Sequence, residues 1–185
     1  MRIRRFNKTK RTLGLHVLRV SGAPGNRARG ILRAGNRTLP VALGRAGIKA
    51  NKREGDGATP RGRFRLVRLW WRADRAPRPT TWLPTRRIRA DDGWCEEPSD
   101  RRYNRPIQLP PKSPGDRLWR EDGLYDFVIE IDHNTRPRVA GRGSAVFVHV
   151  ARKGFLPTAG CVTLSVSDLR KLIGRLDRGT RIEIG

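Results

Sequence analysis

The stretch FVHVARKGFLPTAGCVTL, residues 147–164, places a histidine and a cysteine on either side of a short loop. The preceding run AVFVHV, residues 145–150, is typical of a half-buried strand, which would hold His149 rigidly near its end. The loop ends at Gly160, directly before Cys161. This spacing permits a contact between the His149 imidazole and the Cys161 thiol without requiring one.

Several other segments indicate a mainly β fold with few helices. They are short, partly alternating, and rich in Val, Ile, Leu and aromatic residues, as strands are. The predicted strands are 14–20, 39–43, 64–70, 124–131, 145–150 and 180–184. One helix is predicted over 166–176, where Ser165 and Asp168 fit a capping box and the leucines form one apolar face.

Residues 73–121 show no periodicity and combine many Pro, Arg, Asp and Trp residues. So long an irregular stretch in a compact domain is often a lid or a binding loop. The alternative is a partly disordered insertion, but the aromatic content favours packing. With 185 residues, the chain predicts a single domain over 1–185 with this lid-like region inside it.

The chain carries 41 Lys and Arg against 17 Asp and Glu, a formal net charge of +24. Such a field attracts polyanions, among them nucleic acids, anionic lipids and acidic cell-wall polymers. The basic residues are spread along the chain without a compact block or an RNA-binding aromatic signature, so nucleic acid is an unlikely partner. No stretch is long enough for a transmembrane segment, and a monomer is expected.

The two cysteines, Cys95 and Cys161, do not make a disulfide framework, so reduced thiols are expected. His16 and His133 lack partners at metal-ligand spacing, and we predict neither a metal nor a cofactor. The basic N-terminus has no apolar run typical of an export signal.

Cys161 and its neighbours fit the requirements of acyl transfer. A thiol needs a base or a positive field to become a nucleophilic thiolate, and His149 would supply the base. Gly160 allows a tight turn, and the N–H groups of Ala159, Gly160 and Cys161 are candidate donors to a carbonyl oxygen that develops negative charge. The non-catalytic alternatives are that Cys161 is a small buried hydrophobic residue and that His149 has a structural role.

The same residues resemble the signature of the L,D-transpeptidase (YkuD-domain) family, in which a His is followed by Ser/Thr-His-Gly-Cys and a hydrophobic residue. His149, Thr158, Gly160, Cys161 and Val162 match this pattern. Upstream, GDGATPRGRF, residues 55–64, resembles the Thr-Pro-x-Gly-x-Phe element of the family. This chain departs from the family in having Ala159 where a second His is usual, and in its shorter loop.

The resemblance implies a β-sandwich of mixed sheets and a cysteine enzyme that cross-links peptidoglycan stem peptides through a thioester. It also implies that the Val150 carbonyl orients His149, and that the enzyme acts in the periplasm or cell envelope. Hydrolysis of the same thioester would instead give an L,D-carboxypeptidase or endopeptidase. A non-catalytic basic module that binds wall polymer or nucleic acid is the remaining alternative.

Further residues are candidates for substrate binding. Arg152 and Thr158 lie on the loop between His149 and Cys161, where a guanidinium can bind a carboxylate through two parallel hydrogen bonds. Tyr103, Asn104 and Arg105 are predicted to line the cleft from the irregular region. Cys95 is interpreted as structural or incidental, and the type of cross-link stays open.

Overall fold

The computed structural model describes residues 14–110 and 116–185. The first 13 residues of the basic N-terminus considered above as an export signal lie outside this part of the chain. The elements are β1 (Val17–Ala23), β2 (Asn26–Ala34), β3 (Arg37–Ala42), β4 (Ile48–Lys49), β5 (Thr59–Pro60), β6 (Gly62–Trp71), β7 (Thr85–Arg87), β8 (Asp92–Trp94), β9 (Pro106–Gln108), β10 (Asp116–Arg117), β11 (Phe127–Ile131), β12 (Phe147–Val150), β13 (Val162–Leu164), α1 (Val166–Ile173) and β14 (Arg181–Ile184).

Nine strands form one main sheet in the order β11-β12-β13-β3-β2-β1-β14-β6-β7. The additional pairing of β6 with β11 closes this sheet on itself. The sheet is mixed, since β12 pairs with β13 and β1 with β14 in parallel while β1, β2 and β3 pair antiparallel. Within the described residues α1 is the one helix, so the predicted mainly β class is confirmed.

Helix α1 is positioned by its cap and by its buried face. The Ser165 hydroxyl accepts the Asp168 N–H at 3.1 Å, as the sequence pattern predicts. Leu169, Leu172 and Ile173 are buried in the main core. The helix ends at Ile173 and not at residue 176 as predicted, because Gly174 favours helix termination and the next residues form a tighter turn.

Strand β2 was not predicted, and its composition explains why. Its inward-facing residues are Ala28, Gly30, Leu32 and Ala34, mostly too small to produce an apolar alternation. A side chain at Gly30 would approach the Ser21 carbonyl oxygen to 2.4 Å, so the close approach of β1 requires a small residue there.

The described residues of segment 73–121 include four short strands. Strands β10, β8 and β9 form a separate three-stranded antiparallel sheet. Trp94 and Leu118 of this segment pack with Phe147 and Cys161 in a second hydrophobic core. The region is largely irregular, as predicted, and its short strands β7 to β10 add local order, while several of its residues line the cavity at Cys161.

No helix in the described ranges has the length and apolar character needed to span a membrane.

Candidate active site

The parallel pairing of β12 with β13 brings His149 and Cys161 onto one face of the main sheet. Val148 pairs with Val162, and both are buried in the main core. Side chains alternate along a strand, so Phe147, His149, Cys161 and Thr163 share the opposite face. His149 and Cys161 both line a cavity of about 540 Å³ on that face.

His149 is held in one tautomer by a backbone contact. Its Nδ1 lies 3.0 Å from the Val150 carbonyl oxygen, which can only accept a hydrogen bond, so Nδ1 carries the proton. The Tyr125 ring packs edge-on at 4.9 Å between centroids. Burial lowers the pKa of His149 to about 4, so the ring is neutral at pH 7 and its Nε2 is free of a proton.

Cys161 is a protonated thiol in this structure. Its Sγ donates to the Ala145 carbonyl oxygen at 3.3 Å and accepts the Phe147 N–H at 3.4 Å. Burial raises the pKa of the Cys161 thiol to about 12, against the opposing effect of the Phe147 N–H. Both shifts favour a neutral thiol and a neutral imidazole over an ion pair.

The loop before Cys161 is braced by Thr158. The Thr158 hydroxyl donates to the Cys161 carbonyl oxygen at 2.7 Å and accepts the Gly160 N–H at 3.1 Å. Gly160 has a φ of +153°, and a side chain there would meet the Ala58 carbonyl oxygen at 2.8 Å. The turn therefore requires glycine, while the neighbouring Ala159 is exposed and lines the cavity.

The Thr-Pro element of residues 55–64 supports this loop from behind. The buried Thr59 hydroxyl accepts the Gly44 N–H at 2.8 Å, and Gly44 forms an isolated parallel bridge with Thr158. The Arg45 N–H donates to the Thr158 carbonyl oxygen at 3.0 Å. The two sequence motifs, about a hundred residues apart, thus meet through residues 44 and 45.

The predicted substrate-binding residues divide into two groups. Arg152 and Thr158 line the cavity, the former with an exposed side chain. Tyr103, Asn104 and Arg105 do not line it, contrary to the prediction.

Packing and hydrogen bonding explain this correction. The buried Tyr103 donates its hydroxyl to the Glu54 carboxylate. Asn104 accepts the Trp94 Nε1–H at 3.0 Å and the Ala145 N–H at 3.3 Å, which fixes the backbone next to Cys161. Arg105 is exposed outside the cavity wall, and its carbonyl accepts the Cys95 N–H.

Several residues that line the cavity were not recognised in the sequence. Lys52 and Glu54 precede the Thr-Pro element, a position that offers a weak signal. Glu96 and Asp116 come from the segment without periodicity, where nothing in the sequence distinguishes them from other surface acids. The unpredicted polar lining residues include Arg45, Lys52, Glu54, Glu96, Asp116, Arg120, Tyr125, Ser144 and Thr163.

Two acids of the cavity, Asp116 and Glu96, have raised pKa values. Burial raises the pKa of Asp116 to about 6, although Arg120 opposes the shift. Loss of hydration, followed by the nearby Asp116 and Glu54 carboxylates, raises the pKa of Glu96 to about 7. The cavity therefore holds carboxyl groups that exchange protons near neutral pH.

No metal-binding constellation is found in residues 14–110 and 116–185, where no three His, Cys, Asp or Glu side chains group suitably. Both cysteines are free and buried, and Cys95 does not line the cavity.

Fold and site together define a mainly β protein in which a histidine on one strand and a cysteine directly before the neighbouring strand line one cavity. The model of the YkuD family, the L,D-transpeptidase catalytic domain, matches residues 26–184. The chain belongs to this family.

The solved structures that this chain resembles are distant from it in sequence. An L,D-transpeptidase from Mycobacterium smegmatis is 15% identical, with a TM-score of 0.44, over 91% of this chain and 58% of that one. L,D-transpeptidase 3 from Mycobacterium tuberculosis, in complex with a faropenem-derived adduct, is 16% identical, with a TM-score of 0.43, over 91% and 59%. The chain thus spans about three-fifths of their length. A search of curated proteins gives no match.

Proposed function

We propose that this chain is a cysteine-dependent L,D-transpeptidase that cross-links peptidoglycan stem peptides through a thioester. The observation that carries the proposal is that His149 of β12 and Cys161, directly before the neighbouring parallel strand β13, line one cavity. Family membership supports the same reaction class. The Gly160 N–H is engaged by the Thr158 hydroxyl, so the candidate oxyanion donors of this turn are the N–H groups of Ala159 and Cys161.

In the acylation half-reaction His149 is the base. Its Nε2 is free of a proton because Nδ1–H is engaged by Val150, so it can accept the thiol proton as Sγ attacks the donor carbonyl. The C–S bond forms, the peptide C–N bond breaks, and the imidazolium returns its proton to the leaving amine. Because the pKa values favour neutral groups, we expect proton transfer to accompany attack rather than precede it.

In the second half-reaction an acceptor amine attacks the thioester carbon. The C–N bond forms, the C–S bond breaks, and the amine proton passes through His149 to the departing sulfur. If water attacks instead, the same groups perform an L,D-carboxypeptidase or endopeptidase reaction. The balance depends on how well the cavity excludes water and holds an amine.

We further propose that residues 1–185 act as one catalytic domain, as a monomer, without metal or cofactor, in the periplasm or cell envelope. The closed main sheet uses strands from β1 to β14, which supports a single folding unit. Arg152, exposed at the cavity, is proposed to bind a stem-peptide carboxylate.

Intact-mass spectrometry tests the proposal. The protein is incubated with a carbapenem and, separately, with purified disaccharide-peptides, alongside Cys161→Ala and the matched control Cys95→Ala. We expect a covalent adduct and dimeric muropeptides with the unchanged protein and with Cys95→Ala, and neither with Cys161→Ala. Shortened monomers would identify a hydrolase. Absence of any adduct or product would refute the catalytic role and favour the basic binding module.

A further inference from the structure

One wall of the cavity is acidic in a protein with a large excess of arginine. Glu54, Glu96 and Asp116 all line the cavity that contains Cys161. The whole chain has only 17 acidic residues against 41 basic ones, so a surface carboxylate has many potential partners. Three carboxylates facing one cavity repel each other unless a cation lies between them.

Four cations line the same cavity, and of these Arg45, Lys52 and Arg152 form no ion pair with this wall among the described residues. Lys52 is engaged by Asp56 at 2.7 Å, and Arg120 is engaged by Asp122 at 2.5 Å. The one ion pair of the wall within the described residues is a long contact of 3.9 Å between Arg120 and Asp116.

Glu54 and Glu96 differ in how they are held. Glu54 is oriented by two hydroxyl groups, those of Tyr103 and, at 2.7 Å, Ser144. Glu96 is exposed where it lines the cavity, and it has neither a hydrogen bond nor an ion pair with any described residue. The cavity is therefore lined by the ordered carboxylate of Glu54 and by the unpaired carboxylate of Glu96.

A second, independent feature of the cavity also indicates a polar ligand. Thr163 is 1% exposed and lines the cavity, opposite His149 in the β12–β13 register. Its hydroxyl has no hydrogen-bond partner in the part of the chain that the structure describes. A buried hydroxyl without a partner is costly, and a bound polar group would satisfy it.

We propose that Glu54, Glu96 and Asp116 form an ammonium-binding wall that holds the amine acceptor next to Cys161. This inference rests on the proposed function, since it assigns a place to the second substrate of that reaction. The ligand class is a primary ammonium, which offers three donors and a positive charge to the three carboxylates.

The wall also accounts for activation of the acceptor. An ammonium must lose a proton before it attacks, and a wall carboxylate accepts that proton to give a carboxylic acid and a free amine. The amine then forms the C–N bond as the C–S bond breaks, and its second proton passes through His149 to sulfur. The carboxylic acid finally releases its proton to solvent. The raised pKa values of Glu96 and Asp116 suit this exchange at neutral pH.

Two variants separate acceptor binding from acylation. Glu96→Gln and Asp116→Asn remove a charge and keep the shape, and Glu97→Gln is the matched control, since Glu97 is exposed and does not line the cavity. The acylation rate is measured with a carbapenem by intact mass. Acceptor use is measured with a disaccharide-peptide donor and a diaminopimelate-containing tripeptide as the amine, varied in concentration.

The acylation rate and the use of the acceptor should respond differently to these substitutions. Asp116 and Glu96 raise the pKa of the Cys161 thiol, so their neutralisation should maintain or accelerate acylation. The acceptor concentration for half-maximal cross-linking should rise about tenfold, as expected for loss of one charged contact. Glu97→Gln should change neither.

An unchanged acceptor requirement in both variants would overturn the inference, and so would a parallel fall of acylation and acceptor use. Absence of acylation in the unchanged protein would instead refute the proposed function, and this inference with it.

Discussion

The raised pKa of Cys161 and the lowered pKa of His149 favour neutral side chains at rest, and this determines the expected pH dependence of Cys161. Because its pKa is raised to about 12, the thiolate fraction should grow about tenfold per pH unit throughout the range from pH 6 to 10. We therefore predict that alkylation of Cys161 by iodoacetamide accelerates with pH without a plateau in this range. The measurement uses Cys95→Ala, so that Cys161 is the single thiol, and peptide mass mapping.

A preformed thiolate–imidazolium pair would behave differently. Its alkylation rate would level off above the pH at which the pair forms, and a plateau near neutral pH would contradict the neutral resting state. Burial lowers the pKa of His149 to about 4, so the imidazole is also expected to be neutral in this pH range.

At the scale of elements, the three-stranded sheet β10-β8-β9 forms part of the wall around Cys161 rather than a detachable lid. Trp94 of β8 is 4% exposed and packs edge-on against Phe147 of β12, with ring centroids 5.0 Å apart. We predict that Trp94→Ala lowers the free energy of unfolding by about 3–5 kcal/mol. Urea denaturation measures this change.

Trp82 provides the matched control, because it is the same residue type in the same segment but 79% exposed. Trp82→Ala should change the free energy of unfolding by less than about 0.5 kcal/mol. Equal effects of the two substitutions would mean that the small sheet does not pack as described.

The elements also show where sequence reasoning succeeds. The apolar alternation of strands such as β6 and β11 and the capping pattern of helix α1 predict these elements from the sequence. The loop motif predicts Cys161 and His149 as site residues, and both line one cavity. Strand β2 was missed because its core face consists largely of small residues. Glu96 and Asp116 were missed because they enter the cavity through tertiary packing of a segment whose pattern is neither helical nor β.

For the molecule as a whole, positive charge is widespread while the cavity wall is locally acidic. On the outer face of the main sheet, the cross-strand row Arg33, Arg19, Glu183 and Arg63 contains one acid among three arginines. The charge of +24 should therefore concentrate anionic polymer near the protein, and the cavity wall would then select a cationic group within that polymer. The positive surface would thus attract the anionic polymer, and the acidic cavity wall would select the cationic group on it.

This division predicts a difference in salt sensitivity between two steps. Exposed charges are screened over about 10 Å at 0.1 M salt, so binding to anionic wall fragments should weaken roughly tenfold or more between 50 and 200 mM NaCl. Acylation of Cys161 by a saturating carbapenem takes place in a partly buried cavity and should change far less. Sedimentation with purified wall fragments measures the first, and intact-mass kinetics the second. Wall binding that is indifferent to salt would show that the net charge does not concentrate the substrate, and that contacts of another kind hold the polymer.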